Sequence, residues 1–170
     1  GAARALWAAS GEVTAAQLAM TTGVTLSVAD LPGASLGIAA IGSIVLDWDA
    51  AGHGWFVDRT PLRNEEFVRV AAGDLTARDG GRADGRIDLL SVLVHELGHL
   101  MGLGHDDAAP SGAMNETIDV GERLLVGGEL SVVPTPIHDT QVADGTSWLF
   151  HEGLGAFVSQ DESDLLEQNG

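Results

Sequence analysis

One stretch of this sequence constrains its fold more than any other, because it places polar side chains at fixed intervals beside an apolar run. Residues 95–107 read HELGHLMGLGHDD and directly follow the apolar segment IDLLSVLV. This pattern predicts a helix from Leu89 to Met101 that is buried on most sides, with Asp88 as its N-cap. Burying three histidines and a glutamate in and after such a helix is costly, so these side chains are expected to share a function.

The spacing of these side chains indicates a metal site. His95 and His99 are four residues apart, so they project from the same face of the helix, one turn from each other. Gly102 can adopt the positive φ that ends a helix and turns the chain back, which brings His105 towards the other two. Three neutral imidazoles leave one open position on a zinc ion. Glu96 can take a proton from a water molecule at that position, so the pattern predicts amide hydrolysis.

Two other interpretations of the same pattern stay open. Zinc held by His95, His99 and His105 could serve only to stabilise a non-catalytic module that binds peptides, or mediates adhesion, within a large surface protein. Alternatively, the enzyme could act mainly on its own polypeptide. A purely structural site would gain nothing from a carboxylate next to its first ligand, so Glu96 favours catalysis.

Charge and composition exclude several classes of partner and site. The chain has 25 acidic residues against 8 arginines and no lysine, and its formal net charge at pH 7 is −17. Such a protein repels a phosphate backbone, so no nucleic-acid partner is expected. No apolar run reaches the roughly 18 residues needed to span a membrane. Without cysteine there are no disulfides and no thiolate metal ligands, and nothing indicates an oligomeric state.

The rest of the chain predicts a mixed α and β architecture. Helical spacing from Ala3 to about Met20, interrupted at residues 10–12, predicts one helix or a broken pair. Trp48, Trp55 and Trp148 lie among aliphatic residues and are expected to anchor the core rather than form a carbohydrate platform. Short runs rich in apolar and β-branched residues predict strands at 24–28, 36–40, 43–47 and 68–72.

The length and the change of composition along the chain predict how it divides. Residues 1–130 are expected to form one catalytic domain. Residues 131–170 are acidic with scattered apolar residues, and we expect a C-terminal extension that packs on this domain or links it to a further module.

Aspartates close to glycines offer a candidate site for a second metal. Asp47 and Asp49 alternate at the end of a predicted strand, whereas Asp79, Asp84 and Asp88 cluster in a glycine-rich region. Carboxylate oxygens suit calcium, although neither group follows the spacing of an EF-hand. The alternative is that these aspartates form turns and cap a helix. The sequence thus leaves calcium open as a second ion beside zinc.

The residues considered so far resemble a known family of peptidases. HELGHLMGLGH matches HExxHxxGxxH, the extended zinc motif of the metzincin metalloproteases, and Met114 in SGAMN resembles the methionine of their Met-turn. The short connection from His105 to Met114 resembles that of matrixins. The segment GSIVLDWDAAGHGWF resembles the matrixin strand that precedes the active-site helix. With WFVDRTP and MNETIDVGERLL, the chain looks closest to matrixin-like modules of large bacterial secreted or surface proteins. The clear resemblance covers about residues 36–126.

The resemblance implies a secreted or extracellular zinc endopeptidase with an α+β fold. That fold is a twisted, mostly parallel sheet with one antiparallel edge strand, packed on an N-terminal helix and a buried active-site helix. The three histidines of the motif would bind zinc, and Glu96 would be the general base. A protein or peptide substrate would lie extended along the edge strand. Residues 36–40, LGIAA, are the candidate edge, with an ordinary interior strand as the alternative.

Three features depart from the pattern of the family. Asp106 follows the third histidine, where matrixins usually carry serine; it resembles the adamalysins, but the lack of cysteine argues against that branch. The chain has no tyrosine, so it cannot have the tyrosine ligand of astacin-like relatives. It also cannot have the matrixin cysteine switch, so any latency needs another device.

Overall fold

The computed structural model describes residues 1–71, 74–105 and 112–127, together with the backbone of two strands at 147–151 and 156–159. The helices are α1 (Ala2–Ser10), α2 (Ala15–Met20) and α3 (Leu89–Leu100), with a 3₁₀ turn at Gly112–Met114. The strands are β1 (Thr25–Ala29), β2 (Gly37–Ala40), β3 (Ser43–Asp47), β4 (Trp55–Phe56), β5 (Phe67–Ala71), β6 (Asp74–Ala77), β7 (Ile87–Asp88), β8 (Thr117–Asp119), β9 (Glu122–Leu124), β10 (Ser147–His151) and β11 (Ala156–Ser159).

The N-terminal region is a broken pair of helices, as the sequence predicts. α1 ends at Gly11, which has the positive φ of 74° that glycine adopts without strain. α2 begins with a capping box, in which the Thr14 side chain accepts from the amide of Gln17 and the Gln17 side chain accepts from the amide of Thr14. Together these two local signals explain why the alanine-rich segment does not continue as one helix.

The described strands form four small sheets. One has the order β1-β3-β2, and β4 pairs with β7; the others have the orders β5-β6-β9 and β11-β10-β8. Only the β1–β3 and β4–β7 pairs are parallel among these strands, so the expected mostly parallel sheet is wrong for this part of the chain. Short connections favour antiparallel neighbours, and β2 and β3 are joined by only Ile41 and Gly42.

The predicted antiparallel edge strand is confirmed. β2 lies at the end of its sheet and runs antiparallel to β3, with Gly37 opposite Leu46 and Ala40 opposite Ser43. The backbone of β11 approaches β2 without pairing with it, while β10 is hydrogen-bonded to β8. Large parts of residues 131–170 lie outside the described residues, so the predicted division of the chain at residue 130 stays a prediction.

The core lies between α1, α3 and the β1-β3-β2 sheet. Trp7 of α1 is fully buried, and its indole N–H donates to the carbonyl of Val94 in α3 at 2.9 Å. A smaller cluster of buried residues comprises Phe56, Phe67, Leu75, Ala83 and Leu125. Among the described helices, none is long and apolar enough to span a membrane.

One prediction about the core is wrong. Trp48, which directly follows the last residue of β3, is 64% exposed. The side chain of Trp148 lies outside the described residues. Trp55 is half-buried, and its indole N–H donates to the carbonyl of Asp47 at 2.9 Å. An aliphatic sequence neighbourhood therefore did not decide which tryptophan is buried.

Candidate metal centre

The helix that carries the first two histidines begins and ends as the sequence predicts. Asp88 is the N-cap of α3, and its carboxylate accepts from the amide of Ser91 at 3.1 Å. Gly102 has a φ of 81° immediately after the helix, which lets the chain turn back. The amide of Leu103 donates to the carbonyl of Gly98 at 3.0 Å and closes this turn. The chain then reaches His105 within three residues.

The structure brings the three predicted histidines together. The Nε2 atoms of His95 and His99 are 2.7 Å apart, and that of His105 lies 3.3 Å from the first and 3.2 Å from the second. Three nitrogens bound to one tetrahedral zinc ion at about 2.0–2.1 Å stand about 3.3 Å from one another. In the described part of the chain, this is the one group of three or more metal-binding side chains that meets at a common point.

Hydrogen bonds to backbone carbonyls orient two of the rings. His95 Nδ1 donates to the carbonyl of Ala113 at 3.0 Å, and His99 Nδ1 donates to the carbonyl of Leu103 at 2.9 Å. A carbonyl only accepts, so each Nδ1 carries the hydrogen and each Nε2 presents a lone pair. Lone pairs at this separation repel each other unless a cation lies between them. The donor set therefore fits a bound metal ion.

Burial keeps these imidazoles neutral, which is the form that binds metal. Burial lowers the pKa of His95 well below its ordinary value, the nearby His99 and His105 lower it further, and the Ala113 carbonyl opposes them. Burial also lowers the pKa of His99, against the opposing effect of the Leu103 carbonyl. At neutral pH neither ring has to lose a proton before it binds zinc.

Glu96 lies against the edge strand with no exposed surface. A Cβ atom at Gly37 of β2 would stand 2.9 Å from Glu96 Oε1, so the glycine makes room for the carboxylate. Neither oxygen makes a hydrogen bond within the described residues. Burial raises the pKa of Glu96 well above its ordinary value, and the amide of Ala39 opposes this without reaching hydrogen-bonding geometry. Such a carboxylate is expected to interact with a cation or water.

Met114 packs against Gly98, between the two histidines of α3. It is 2% exposed in the 3₁₀ turn, next to the Ala113 carbonyl that orients His95. A Cβ atom at Gly98 would overlap the Met114 sulfur and stand 3.3 Å from the Trp7 ring. The glycine between the two helical histidines thus allows this methionine and α1 to pack against α3.

Sequence reasoning identified the histidines but missed the residues that hold them. Gly37 and Gly98 contribute only the space that their missing side chains leave, and Ala113 contributes only its carbonyl. No local pattern in the sequence marks these three residues. The Leu103 carbonyl could have been anticipated, because a chain that turns back after Gly102 returns its backbone to the last histidine of the helix.

Two of the carboxylates considered for calcium have other partners. Asp47 accepts from the amides of Leu31 and Ala51 at 2.9 and 2.8 Å, so it organises turns. Asp88 caps α3 and pairs with Arg123. For these two residues the structure shows the stated alternative of turn formation and helix capping, and calcium stays a prediction.

Comparison with known sequences places this site in a family. The profile of the matrixin peptidases matches residues 21–125, which include all three histidines and Glu96 and make up more than half of the chain. The chain belongs to the matrixin family. A search of the curated proteins found no match, and a search of the solved structures found none either. The expected resemblance is confirmed, and the three-histidine site of this matrixin is that of a zinc metalloprotease. Asp106 lies outside the described residues.

Proposed function

We propose that this matrixin is a secreted endopeptidase that hydrolyses peptide bonds in protein substrates and uses Glu96 as general base. The observation that carries the proposal is a fully buried carboxylate that has no hydrogen-bond partner in the described residues. It belongs to the residue directly after His95, the first of three histidines whose nitrogens meet at one point. A structural metal site has no need of such a carboxylate. An active site needs one to accept and return a proton.

The chain's residues divide the work of hydrolysis. His95, His99 and His105 would hold a zinc ion, which would supply a Lewis acid and make a water molecule more acidic. Glu96 would take a proton from the attacking water at its carboxylate and later return it to the departing amine. Its burial suits both steps, because a raised pKa makes the carboxylate a better proton acceptor. The carbonyls of Ala113 and Leu103 keep two of the rings in the required orientation.

The edge strand is the proposed binding surface for the substrate backbone. β2 lies at the end of its sheet, and Gly37 on this strand contacts Glu96. A peptide that adds a strand here uses backbone hydrogen bonds, which accept many sequences. The scissile carbonyl would then lie close to the carboxylate and the three histidines.

The mechanism is tested by cleavage of a denatured protein by the zinc-loaded chain. Glu96→Gln keeps the shape of the side chain but not its basicity, so we expect kcat/KM to fall by about 10²–10⁴-fold. Zinc content, measured by atomic emission, should stay at the wild-type level. Activity that survives this substitution, or that survives chelation, would contradict the mechanism. A zinc-loaded wild type that cleaves no member of a peptide library, yet melts on chelation, would favour the non-catalytic module.

Self-processing is a second candidate because the backbone of β11 approaches β2. The chain's own C-terminal region is thus near the proposed substrate edge. Mass spectrometry of the zinc-loaded chain, incubated over a range of dilutions, tests this. Trimming at a rate that is independent of concentration, and that is lost in Glu96→Gln, would support self-processing; an intact chain would exclude it.

A further inference from the structure

A cavity in the described region has no part in the zinc site. Its volume is about 470 Å³, and it lies beside the short β4–β7 pair. None of the residues around it binds or orients the histidines. We call it the arginine cavity; its lining consists of Trp55, Phe56, Val57, Arg59, Arg82 and Arg86.

The arginines of this cavity have no acidic partner among the described residues. Arg59, Arg82 and Arg86 are three of the eight arginines in a chain of net charge −17, and all three are exposed. None of their side chains makes a hydrogen bond or ion pair with any described residue. Arg123, by contrast, is bound to Asp58 and Asp88. In so acidic a chain, three unpaired guanidinium groups around one cavity indicate a site for an anionic ligand.

The positions of these arginines are set by buried neighbours. Arg59 follows Asp58, whose carboxylate pairs with Arg123 at 2.8 Å. Arg82 precedes Ala83, which is 1% exposed in the smaller core cluster, and Arg86 precedes the fully buried Ile87. The nearby Asp84 is already engaged, because its carboxylate accepts from the amide of Gly80 at 2.8 Å. The backbone at each arginine is therefore held in place before a ligand binds.

The remaining lining of the cavity is apolar. Phe56 is buried beneath it, Val57 is 57% exposed, and Trp55 is half-buried. A ligand that fits this combination carries carboxylates for the arginines and an apolar group for the exposed valine and the indole. A short acidic segment brings few negative charges to the cavity. A long polyanion would bring many negative charges close to the acidic remainder of the surface, which would repel it.

We propose that the arginine cavity binds an acidic segment of another polypeptide that carries an apolar side chain beside its carboxylates. This binding needs neither zinc nor Glu96 and is thus independent of peptide hydrolysis. It would recruit a partner or a substrate at a surface whose lining is separate from that of the metal centre. Its strength should fall as the salt concentration rises, because exposed charge pairs are screened.

The test is fluorescence anisotropy of a labelled peptide in which leucine alternates with glutamate, added at low ionic strength to the zinc-loaded chain. Mass spectrometry checks that the peptide stays intact. The double variant Arg82→Gln/Arg86→Gln should bind about tenfold more weakly, as expected for the loss of two exposed charge pairs. The matched control, Arg63→Gln/Arg69→Gln, changes the net charge equally, from −17 to −19, at two exposed arginines outside the cavity. It should bind within twofold of wild type.

Several outcomes would overturn the proposal. Absence of peptide binding at low salt would do so, and so would an equal loss in both double variants, which would indicate long-range charge alone. Inorganic phosphate or a sulfated oligosaccharide that displaces the peptide at an equal concentration would identify a different ligand. Circular dichroism and zinc content of each variant establish that a loss of binding does not come from unfolding.

Discussion

Both halves of α3 bury a carboxylate, but among the described residues only the one at the N-terminal end is paired with a cation. There, Arg123 is fully buried and binds both oxygens of Asp88, with Nε–Oδ2 and Nη2–Oδ1 distances of 3.0 and 2.8 Å. Its Nη1 lies 2.8 Å from Asp58 Oδ2, and its guanidinium lies 4.2 Å from the centre of the Phe67 ring. In the C-terminal half, Glu96 has no hydrogen bond within the described residues.

This difference separates a stabilising cluster from the proposed active site. Asp88 caps α3 and binds Arg123, while the Ser91 hydroxyl donates to Asp88 and accepts from the amide of Leu124 at 2.9 Å. These bonds fix the start of the helix against β9. In the C-terminal half, three imidazole nitrogens meet at one point, and the Glu96 carboxylate makes no hydrogen bond within the described residues. One helix thus carries a buried ion pair at one end and the metal-binding histidines at the other.

The largest expected effect comes from removing Arg123, which pairs with Asp58 and Asp88. Arg123→Leu leaves the Asp58 and Asp88 carboxylates buried without their cation, so we expect a loss of about 3–5 kcal/mol in the free energy of unfolding. Urea denaturation with and without zinc measures this loss. Arg123→Lys is the control: it keeps the charge but not the two-pronged geometry, and it should lose less. A loss below about 1 kcal/mol in Arg123→Leu would contradict the assigned role.

Zinc binding should stabilise the folded chain only through the three histidines at the C-terminal end of α3. Free zinc at 1,000 times its Kd raises the free energy of unfolding by about 4 kcal/mol if it binds the folded state alone. Differential scanning calorimetry should therefore show a higher Tm with zinc than with chelator. His99→Ala removes one ligand and should abolish most of this difference while leaving the Arg123 cluster unchanged. A Tm that is insensitive to zinc would contradict the metal assignment.

Glu122, next to Arg123 on β9, should make stability depend on pH. Burial, with a smaller contribution from the charges of Asp119 and Asp74, raises its pKa to about 7 against the opposing effect of the Asp119 amide. The folded state keeps this proton while the unfolded state, with a pKa near 4.5, releases it. Stability should therefore fall as the pH rises from about 4.5 to about 7, by up to about 3 kcal/mol.

Glu122→Gln tests this dependence because an amide has no proton to release in that range. Its oxygen can still accept from the Asp119 amide. The variant should be more stable than wild type at pH 8 and equally stable at pH 4, in urea denaturation at both values. An equal difference at both pH values would show that the effect does not come from titration of Glu122.

The smallest expected effect concerns the packing beneath the histidines. In Gly98→Ala the new methyl group would overlap the Met114 sulfur, so the methionine or α1 must shift, at a cost of about 1–3 kcal/mol. Zinc affinity should fall as well, because Met114 adjoins the Ala113 carbonyl that orients His95. Gly102→Ala is a useful comparison. The added methyl group would meet no other atom, but the φ of 81° at this position is strained for alanine. Unchanged stability and zinc affinity in Gly98→Ala would contradict this account.

The sequence predicted most local structure because each of those elements depends on nearby residues. Gly11 interrupts the first helix, Asp88 begins α3, and Gly102 ends it, all through the backbone preferences of single residues. Small strands such as β6, β7 and β8 were missed. They are only two to four residues long, and they exist because partners distant in the chain complete their hydrogen bonds.

The sequence by itself determined the set of metal-binding groups, because a helical period and one glycine turn are enough to bring His95, His99 and His105 to one point. Only the tertiary structure decided what surrounds that point. The carbonyl of Ala113, the space left by Gly37 and Gly98, and the pairing of Asp88 with Arg123 join residues that are far apart in the chain. Such contacts arise from packing, and packing leaves no fixed interval in a sequence.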